Sequence, residues 1–278
     1  MKLYTTRETI HEAVDIFCLD REGTPDLVPL GLGPIDRELG GLGPGAYGVL
    51  AAATGVGKSS TVLSSMLAAE ITVGCISVED TPDLVGARLL AALTGIDSRR
   101  IRRKDLSGRE LQALGRAARS PHLSNLFFAY PIAGTIDDVV ACIEAMCSRG
   151  CRLIWIDYLQ EIQGTKDSRM AEIKEIMSKS HAAAAKGGAA IMMLSQFRRF
   201  GEKERGRPPQ LWHLKESGDI ENKARLVVLG HRVGNGVEWR LAKSTYGSEG
   251  LRWSLKRDES GTLQEEDDYG IVEDEEEF

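Results

Sequence analysis

The stretch that decides the fold is AAATGVGKSS at residues 51–60, which follows the apolar run YGVL at residues 47–50. A segment with helical periodicity comes next, so the predicted order is strand, glycine-containing turn and helix. In this context the backbone N–H groups of the turn and the N-terminus of the helix form a phosphate-binding loop. We predict that Lys58 reaches the terminal phosphates of a nucleotide and that the Ser59 hydroxyl binds Mg²⁺.

The predicted nucleotide contacts cover this loop and the first turn of the helix. They are Thr54, Gly55, Val56, Gly57, Lys58, Ser59 and Ser60. The full pattern G-x-x-x-x-G-K-[ST] would place glycine at position 52, where this chain has Ala52. The alternative is that Gly-Lys-Ser follows a strand by chance. To decide between the two, the remaining groups of a nucleotide site have to be found in other segments.

A length of 278 residues allows one large α/β domain, and 42% hydrophobic with 27% charged residues is typical of soluble globular proteins. No apolar run approaches the roughly 20 residues that span a bilayer, and the N-terminus lacks the apolar core of a signal peptide. Five scattered cysteines indicate reduced thiols and a cytoplasmic location. We interpret Cys142, Cys147 and Cys151 as packing residues rather than zinc ligands, because their spacing lacks paired C-x₂₋₄-C units.

The net charge of −6 is unevenly distributed along the chain. Residues 265–278 hold nine acidic residues and no basic one, so the other 264 residues carry a net charge of +3. A mildly basic body with an acidic tail suits a protein that binds nucleic acid and guards the binding site. We predict that residues 259–278 form an acidic disordered tail.

At the other end, residues 5–19 are predicted to form an amphipathic helix that begins with a Thr5–Glu8 capping box. A lone helix of this length is marginal in water, so it needs a partner such as a neighbouring subunit. The prolines and the glycine of residues 20–29 indicate a linker. The predicted organisation is therefore a helix and linker at 1–27, a core at 28–258 and the tail.

Within the core, apolar strand-like runs alternate with helical segments, which predicts an α/β fold with a mostly parallel central sheet and helices on both faces. Two final runs at 237–243 and 251–256 predict a C-terminal β-hairpin. The other predicted strands lie at 47–53, 72–78, 125–130, 152–156, 189–195 and 226–230, and predicted helices at 59–70, 135–148 and 168–185.

A phosphate-binding loop needs a second group that organises Mg²⁺, usually an aspartate at the end of an apolar strand, and Asp157 meets this requirement. Tyr158 follows it, so the general base has to come from another strand, and Glu79 is the candidate. A solvated or helix-capping acid is the alternative for Glu79. Gln196 ends a further strand, where its amide would contact the γ-phosphate and report its loss to the next loop.

Two segments are strongly basic. Residues 197–211 carry five lysines and arginines, and we predict that this loop binds a phosphate backbone through Arg198 and Arg199. A solvated loop is the alternative. For RRIRRK at residues 99–104 we favour a solvated turn.

Together, these segments resemble the C-terminal motor domain of bacterial and phage replicative DNA helicases, the DnaB family of RecA-like P-loop ATPases. The loop of that family typically begins with alanine, as here at Ala52. SVEDTP at 77–82 resembles its S-L-E-M-P segment, which bears the catalytic glutamate, and IDYLQ at 156–160 matches its metal-binding strand. SQFRR at 195–199 resembles S-Q-L-N-R, and LKESGDIE at 214–221 resembles L-R-E-S-G-S-I-E. The likeness covers roughly residues 28–258.

The resemblance implies ATP and Mg²⁺ as cofactors and single-stranded DNA as a partner. It makes Lys215, Glu216 and Gly218 DNA-contact candidates, because the matching loop of the family holds the DNA backbone. The family's K-x-R-x-G segment sends a lysine and an arginine finger into the neighbouring ATP site; here Lys243 is kept for this role in trans, and Thr245 stands at the finger position. Loss of such a finger typically costs about 10³ or more in hydrolysis rate.

The resemblance does not extend to the collar domain of the family. Of the parts that precede the motor domain, we expect only the linker helix to be represented, by the helix at 5–19. That helix would pack on the next subunit of a head-to-tail oligomer, which we expect to be a hexameric ring. The acidic tail with its final Phe278 resembles those with which single-stranded-DNA-binding proteins dock replication partners; a solvating tail is the alternative.

The expected function is that of an ATP-driven single-stranded-DNA translocase, or replicative-type DNA helicase. The alternative is a DNA-binding RecA-like ATPase that does not unwind, such as a recombination mediator or helicase paralogue with weak or partner-dependent hydrolysis. Arg232, Arg240 and Arg252 are candidates to replace the missing finger.

Overall fold

The computed structural model of the chain describes residues 6, 7, 10, 27–197, 208–214, 223–247 and 249–271. A single nine-stranded sheet organises these described residues. Its strands, in chain order, are β1 Tyr47–Ala52, β2 Val73–Ser77, β3 Leu126–Ala129, β4 Leu153–Asp157, β5 Ala190–Gln196, β6 Leu226–Val233, β7 Gly236–Ser244, β8 Leu251–Arg257 and β9 Leu263–Ile271.

Across the sheet the strands lie in the order β3-β2-β4-β5-β1-β6-β7-β8-β9. Strands β3 to β6 in this order run parallel, and β6 to β9 continue as an antiparallel meander. β1, β2 and β4 are buried at every position. This burial explains their continuous apolar runs, because a parallel sheet is covered by helices on both faces.

The described residues also form seven α-helices. These are α1 Gly33–Leu39, α2 Lys58–Ala68, α3 Pro82–Thr94, α4 Ser98–Arg103, α5 Gly108–Ala117, α6 Ile136–Ser148 and α7 Arg169–Lys186. The chain crosses the sheet in one direction from β1 to β3 and in the other direction from β3 to β5. Since such crossovers are right-handed, α2 to α5 lie on one face of the sheet and α6 and α7 on the other.

Polar side chains fix where several of these helices begin. Thr135 and Asp138 exchange capping bonds at the start of α6, and Ser107 and Glu110 do the same at α5. The Ser168 hydroxyl caps α7 by accepting a hydrogen bond from a backbone N–H of the first turn. Such caps satisfy N–H groups that have no partner within the helix.

The predicted α/β fold, with its mostly parallel sheet and C-terminal hairpin, is confirmed. Every predicted strand and helix of the core is present within two residues at each end, except that β6 continues three residues further. No helix in the described part of the chain is long and apolar enough to cross a membrane.

Two sequence predictions differ from the structure. The first is the disordered tail from residue 259, because Leu263–Ile271 form β9 beside β8. Leu263 is 1% exposed, and the Ser64 hydroxyl donates a hydrogen bond to its carbonyl oxygen. The Arg37 guanidinium also contacts Glu265 at 2.6 Å. These partners are remote in sequence, so the acidic composition of the segment does not reveal them.

The second difference concerns RRIRRK, which forms most of the short helix α4 instead of a turn. The Asp97 carboxylate caps this helix by accepting a hydrogen bond from the Arg99 backbone N–H. Lys104 ends the helix in the left-handed conformation with φ 59°. The predicted helix at 5–19 lies outside the described residues except for positions 6, 7 and 10, as do residues 272–278.

Candidate active site

The phosphate-binding loop spans the turn between β1 and α2, at the centre of the sheet. β1 ends at Ala52 and α2 begins at Lys58, so five residues make the connection. Gly55 has φ 76° and Gly57 has φ 133°, values in the region that favours glycine. The predicted strand, turn and helix are therefore present, and the open first turn of α2 directs backbone N–H groups toward the loop.

Lys58 lies almost buried beneath this loop, with 8% of its surface exposed. Its Nζ donates hydrogen bonds to the carbonyl oxygens of Ala52, at 3.0 Å, and Ala53, at 3.4 Å. Burial lowers the pKa of the ammonium group, while the charges of Asp157 and Glu79 oppose that effect. A buried ammonium group needs an anionic partner, and a nucleotide phosphate supplies one.

Ser59 and Asp157 meet across the cleft between α2 and the end of β4. The Ser59 hydroxyl donates a hydrogen bond of 2.7 Å to Asp157 Oδ2. Burial, together with the charge of Asp80, raises the pKa of the Asp157 carboxyl, and the Ser59 hydrogen bond opposes this shift. A hydroxyl beside a buried carboxylate fits a divalent cation, because Mg²⁺ prefers oxygen ligands and its charge offsets the cost of the buried carboxylate.

Glu79 follows β2 and is exposed on the wall of the same cleft. Partial burial raises the pKa of its carboxyl, and the charges of Asp157 and Asp80 raise it further. Asp80 itself forms an ion pair with Arg88 of α3. Of these two adjacent acids, Glu79 is therefore the better candidate for the role of general base.

Gln196 ends β5 directly beside the end of β1, where it pairs in register with Ala52. Its backbone N–H donates a hydrogen bond of 3.2 Å to Gln160 Oε1, and Gln160 Nε2 donates to the Ser195 hydroxyl at 2.9 Å. The amide side chain of Gln160 thus ties the segment after β4 to the end of β5. This bond explains how Gln196 is held at the edge of the cleft.

One cleft of about 260 Å³ brings these groups together. It is lined by the predicted residues Thr54, Gly55, Gly57, Lys58, Ser59, Ser60, Glu79, Asp157 and Gln196. Val56 is buried behind the loop and does not line the cleft. The cleft is also lined by Asp80, Arg88, Tyr158 and Arg257, which were not predicted as site residues.

Two cations, Arg257 and Arg232, lie beside the loop although the sequence does not predict that position for either. Arg232 Nη2 donates a hydrogen bond of 2.7 Å to the Gly55 carbonyl oxygen. Arg257 Nη2 lies 3.4 Å from the position that a Cβ on Gly57 would take. Burial lowers the pKa of Arg257, and the charge of Arg232 lowers it further. Nothing in the local sequence distinguishes either arginine, because only the curl of the β6–β8 meander brings them to the loop.

Lys243 and Thr245 lie at the opposite ends of the strands, away from the cleft of their own chain. Lys243 pairs in register with Val227 near the start of β6. The Thr245 backbone N–H donates a hydrogen bond of 2.9 Å to the Arg225 carbonyl oxygen. Thr245 and Arg225 are both exposed, and both line a second cleft of about 780 Å³.

The three arginines considered as replacements for the finger have other surroundings. Arg240 is 8% exposed, and its Nη2 donates to Gln210 Oε1 at 2.8 Å. Arg232 contacts the loop of its own chain, and Arg252 is half-buried in β8. The predicted DNA contacts lie outside the described residues; they are Arg198, Arg199, Lys215, Glu216 and Gly218.

Comparison with known proteins gives a family match. Residues 28–246 match the family model described as DnaB-like helicase C terminal domain. The replicative DNA helicase DnaC of Bacillus subtilis is 28% identical over 229 residues, which are 77% of this chain and 49% of that protein. A probable plasmid replicative DNA helicase of Chlamydia trachomatis is 27% identical over 231 residues, 80% of this chain and 51% of that protein. The chain thus spans about half the length of these curated relatives.

Solved structures show the same fold. The ATPase domain of G40P superposes with a TM-score of 0.78 at 24% identity, covering 92% of this chain and 95% of that one. A DnaB-like replicative helicase, solved in a study of its interactions with primase, gives a TM-score of 0.79 at 23% identity. It covers 95% of this chain and 67% of that one.

Proposed function

Because the chain belongs to the family of DnaB-like helicase C-terminal domains, we propose that it is an ATP-driven single-stranded-DNA translocase that unwinds DNA. The observation that carries the proposal is the single cleft in which Lys58, Glu79 and Asp157 converge. A buried lysine, a carboxylate beside a hydroxyl and a second, separate carboxylate are the groups that phosphoryl transfer to water requires.

Each residue of the cleft has a distinct role in this reaction. Lys58 binds the terminal phosphates and offsets charge that develops on them. Glu79 orients the attacking water and accepts its proton. Gln196 hydrogen-bonds the γ-phosphate through its amide, so loss of that phosphate frees the amide and alters the loop that follows β5.

Mg²⁺ is the cofactor that we assign to Ser59 and Asp157. When bound, it supplies positive charge to the phosphate oxygens. Ser59 and Asp157 would hold it, and their hydrogen bond of 2.7 Å keeps the Ser59 hydroxyl beside the Asp157 carboxylate. The remaining loop residues bind phosphate through backbone N–H groups.

We propose a head-to-tail oligomer, expected to be a hexameric ring, as the active form. In it Lys243 enters the ATP site of the neighbouring subunit. Single-stranded DNA is bound by Arg198, Arg199, Lys215, Glu216 and Gly218. A replication partner docks on the acidic residues that end with Phe278. The protein acts in the cytoplasm, a proposal supported by the four cysteines of the described residues, which are free thiols.

Arg225 is our candidate for the cation that replaces the arginine finger. It is exposed, and among the described residues its side chain has no hydrogen bond or ion pair. It neighbours Thr245 through the 2.9 Å backbone hydrogen bond, and cross-strand neighbours have Cβ atoms about 4.5–5.5 Å apart. The Arg225 side chain therefore begins close to position 245 and lines the same cleft.

Mixed assemblies test this role in trans. Arg225→Ala should lower ATP turnover by about 10³, as loss of an arginine finger does. Lys58→Ala should be inactive because it cannot bind the phosphates. When the two variants are mixed, some sites combine an intact loop with an intact Arg225, so turnover should recover. No recovery, or an equal loss in the matched control Lys223→Ala, would show that Arg225 does not act in trans.

ATP turnover with and without single-stranded DNA tests the proposed function. We expect strong stimulation by DNA in the wild type. Lys58→Ala should lose nucleotide binding, whereas Glu79→Gln should bind ATP but lose turnover, because its amide cannot accept a proton. Turnover that survives in Glu79→Gln would remove that residue from the role of base.

A second candidate function is favoured by Thr245 at the finger position. A chain without an effective finger would hydrolyse ATP slowly and use it as an assembly switch. This DNA-binding ATPase would not unwind DNA. This second candidate function predicts ATP-dependent DNA binding with little ATP turnover, and no effect of Arg225→Ala on ATP hydrolysis.

A further inference from the structure

We propose that helices α4 and α5 carry a second nucleic-acid contact, in addition to the residues proposed above to bind DNA, and that it binds a phosphate backbone. We call it the α4–α5 basic surface. It is defined by six exposed cations: Arg102, Arg103, Lys104, Arg109, Arg116 and Arg119.

The positive charge of this region is concentrated and exceeds the nearby negative charge, which includes Asp83 of α3 beside Arg102. Residues 97–121 hold eight basic and three acidic residues. Two of the acids are engaged with other arginines: Asp97 contacts Arg99 at 2.6 Å, and Glu110 contacts Arg100 at 2.6 Å. These partners hold the pKa values of Asp97 and Glu110 at about 2, so both carboxylates stay charged and bound to them.

The six cations of the surface differ from Arg99 and Arg100 in having no such partner. Their side chains make no hydrogen bond or ion pair within the described part of the chain. Their long side chains add little to folding, because exposed cations that contact nothing contribute little stability. A net positive field of this density attracts a polyanion.

The shape of the surface favours an extended anion. A groove of about 800 Å³ between α3 and α4 is lined by Arg102, Arg103 and Lys104. A second groove of about 530 Å³, beside the end of α3, is lined by Arg116 and Arg119. Cations in two separate grooves match repeated phosphates better than one small ion. Five of the six are arginines, whose guanidinium groups bind phosphate oxygens in pairs.

The surface also lies close to the nucleotide cleft. Ser98, the first residue of α4, lines a small cavity with Ser60 of α2 and Arg88 of α3. Both Ser60 and Arg88 line the nucleotide cleft as well. Nucleic acid on α4 would therefore lie one helix away from the ATP site, on the face of the sheet that carries α2 to α5.

DNA binding measured by fluorescence anisotropy over a series of salt concentrations, without nucleotide, tests this surface. The probes are a labelled single strand and a labelled duplex of equal length. The variants are Arg102→Gln with Arg103→Gln, and Arg116→Gln with Arg119→Gln. The matched control removes two exposed lysines on the opposite side of the sheet, Lys166→Gln with Lys186→Gln.

Each surface variant should bind at least one probe about tenfold more weakly. For each DNA phosphate that the variant no longer neutralises, its salt slope should fall by about 0.9 with the duplex and about 0.7 with the single strand. The control should match the wild type. The probe whose affinity falls more identifies the bound form, single-stranded or duplex. Basal ATP turnover should stay unchanged in all variants. If the wild type and the variants show this pattern of DNA binding but the wild type has no ATP turnover, the proposed function is wrong and the proposal for the α4–α5 basic surface stands.

Equal DNA binding by the surface variants, the control and the wild type would overturn the proposal, as would a wild type that binds neither probe. A labelled peptide of the sequence of residues 265–278 provides a further arm. If the wild type binds this peptide, the surface variants do not, and DNA binding is the same in all of them, the surface is a site for an acidic polypeptide and the nucleic-acid proposal is wrong.

Discussion

At the residue scale, the chemistry of the cleft follows from a few charges held out of water. Lys58, Ser59 and Asp157 could be predicted because each belongs to a short motif whose spacing fixes its place at a strand end or helix start. Arg257 could not be predicted this way. It reaches the loop only because β8 folds back beside β7 in the antiparallel meander, and no local pattern encodes that approach.

Asp36 offers a test of buried charge outside the cleft. Its Oδ1 accepts a hydrogen bond of 2.7 Å from the Leu30 backbone N–H. Burial raises the pKa of its carboxyl from 3.8 to about 6, and the charge of Glu265 adds to the shift. The folded state therefore binds this proton more tightly than the unfolded state, and its stability falls as the pH rises through that range.

Lowering the pH from 7 to 5 should therefore raise the free energy of unfolding of the wild type relative to Asp36→Asn, by about 1 kcal/mol. The asparagine keeps an acceptor oxygen for Leu30 but has no proton to gain. Urea unfolding of both proteins at the two pH values measures the difference. Parallel changes in the two proteins would show that Asp36 does not titrate in this way.

At the element scale, the apolar strands and the helices α2, α6 and α7 of the core were predicted from composition and period. β9 and α4 were not, because both are rich in charge. β9 is a strand because β8 offers its free edge and Leu263 packs beside the loop. α4 is a helix because Asp97 caps its start and Lys104 adopts a left-handed conformation at its end.

Gly230 tests the packing of the β6–β7 ladder. It lies directly opposite Trp239, and a Cβ at position 230 would come within 2.3 Å of the Trp239 ring. Gly230→Ala should therefore lower the free energy of unfolding by about 1–3 kcal/mol, the typical cost of overpacking.

The control is Gly86→Ala in α3, where an added Cβ meets no atom within 4 Å. It should raise stability by up to about 1 kcal/mol, because alanine is the better helix former. Urea denaturation of both variants gives the comparison. Equal midpoints for Gly230→Ala and the wild type would mean that Trp239 moves aside without cost.

At the scale of the whole molecule, the question is where the ATPase core ends. The sequence predicts the boundary at residue 258, because the composition becomes acidic soon afterwards. Leu263, however, lies 3.0 Å from the position of a Cβ on Gly57, and the Ser64 hydroxyl binds its carbonyl oxygen at 2.6 Å. Contacts between residues some two hundred positions apart depend on the closed meander, which composition does not encode.

Two truncations locate this boundary. A chain that ends at residue 258 should unfold at a lower temperature and bind ATP more weakly than the full chain, because the segment that packs on the loop is removed. A chain that ends at residue 271 retains β9 and should match the full chain in both properties. Thermal unfolding and nucleotide titration give the values. Identical behaviour of the 258 truncation would favour the boundary predicted from composition.

The central claim is that ATP hydrolysis in this cleft moves the protein along DNA, and strand separation of a forked duplex measures it most directly. The wild type should release the labelled strand with ATP and Mg²⁺ but not with a non-hydrolysable analogue, and Lys58→Ala should release none with either nucleotide. ATP-dependent binding to the fork without strand release would contradict the claim and identify the protein as a DNA-binding ATPase that does not unwind.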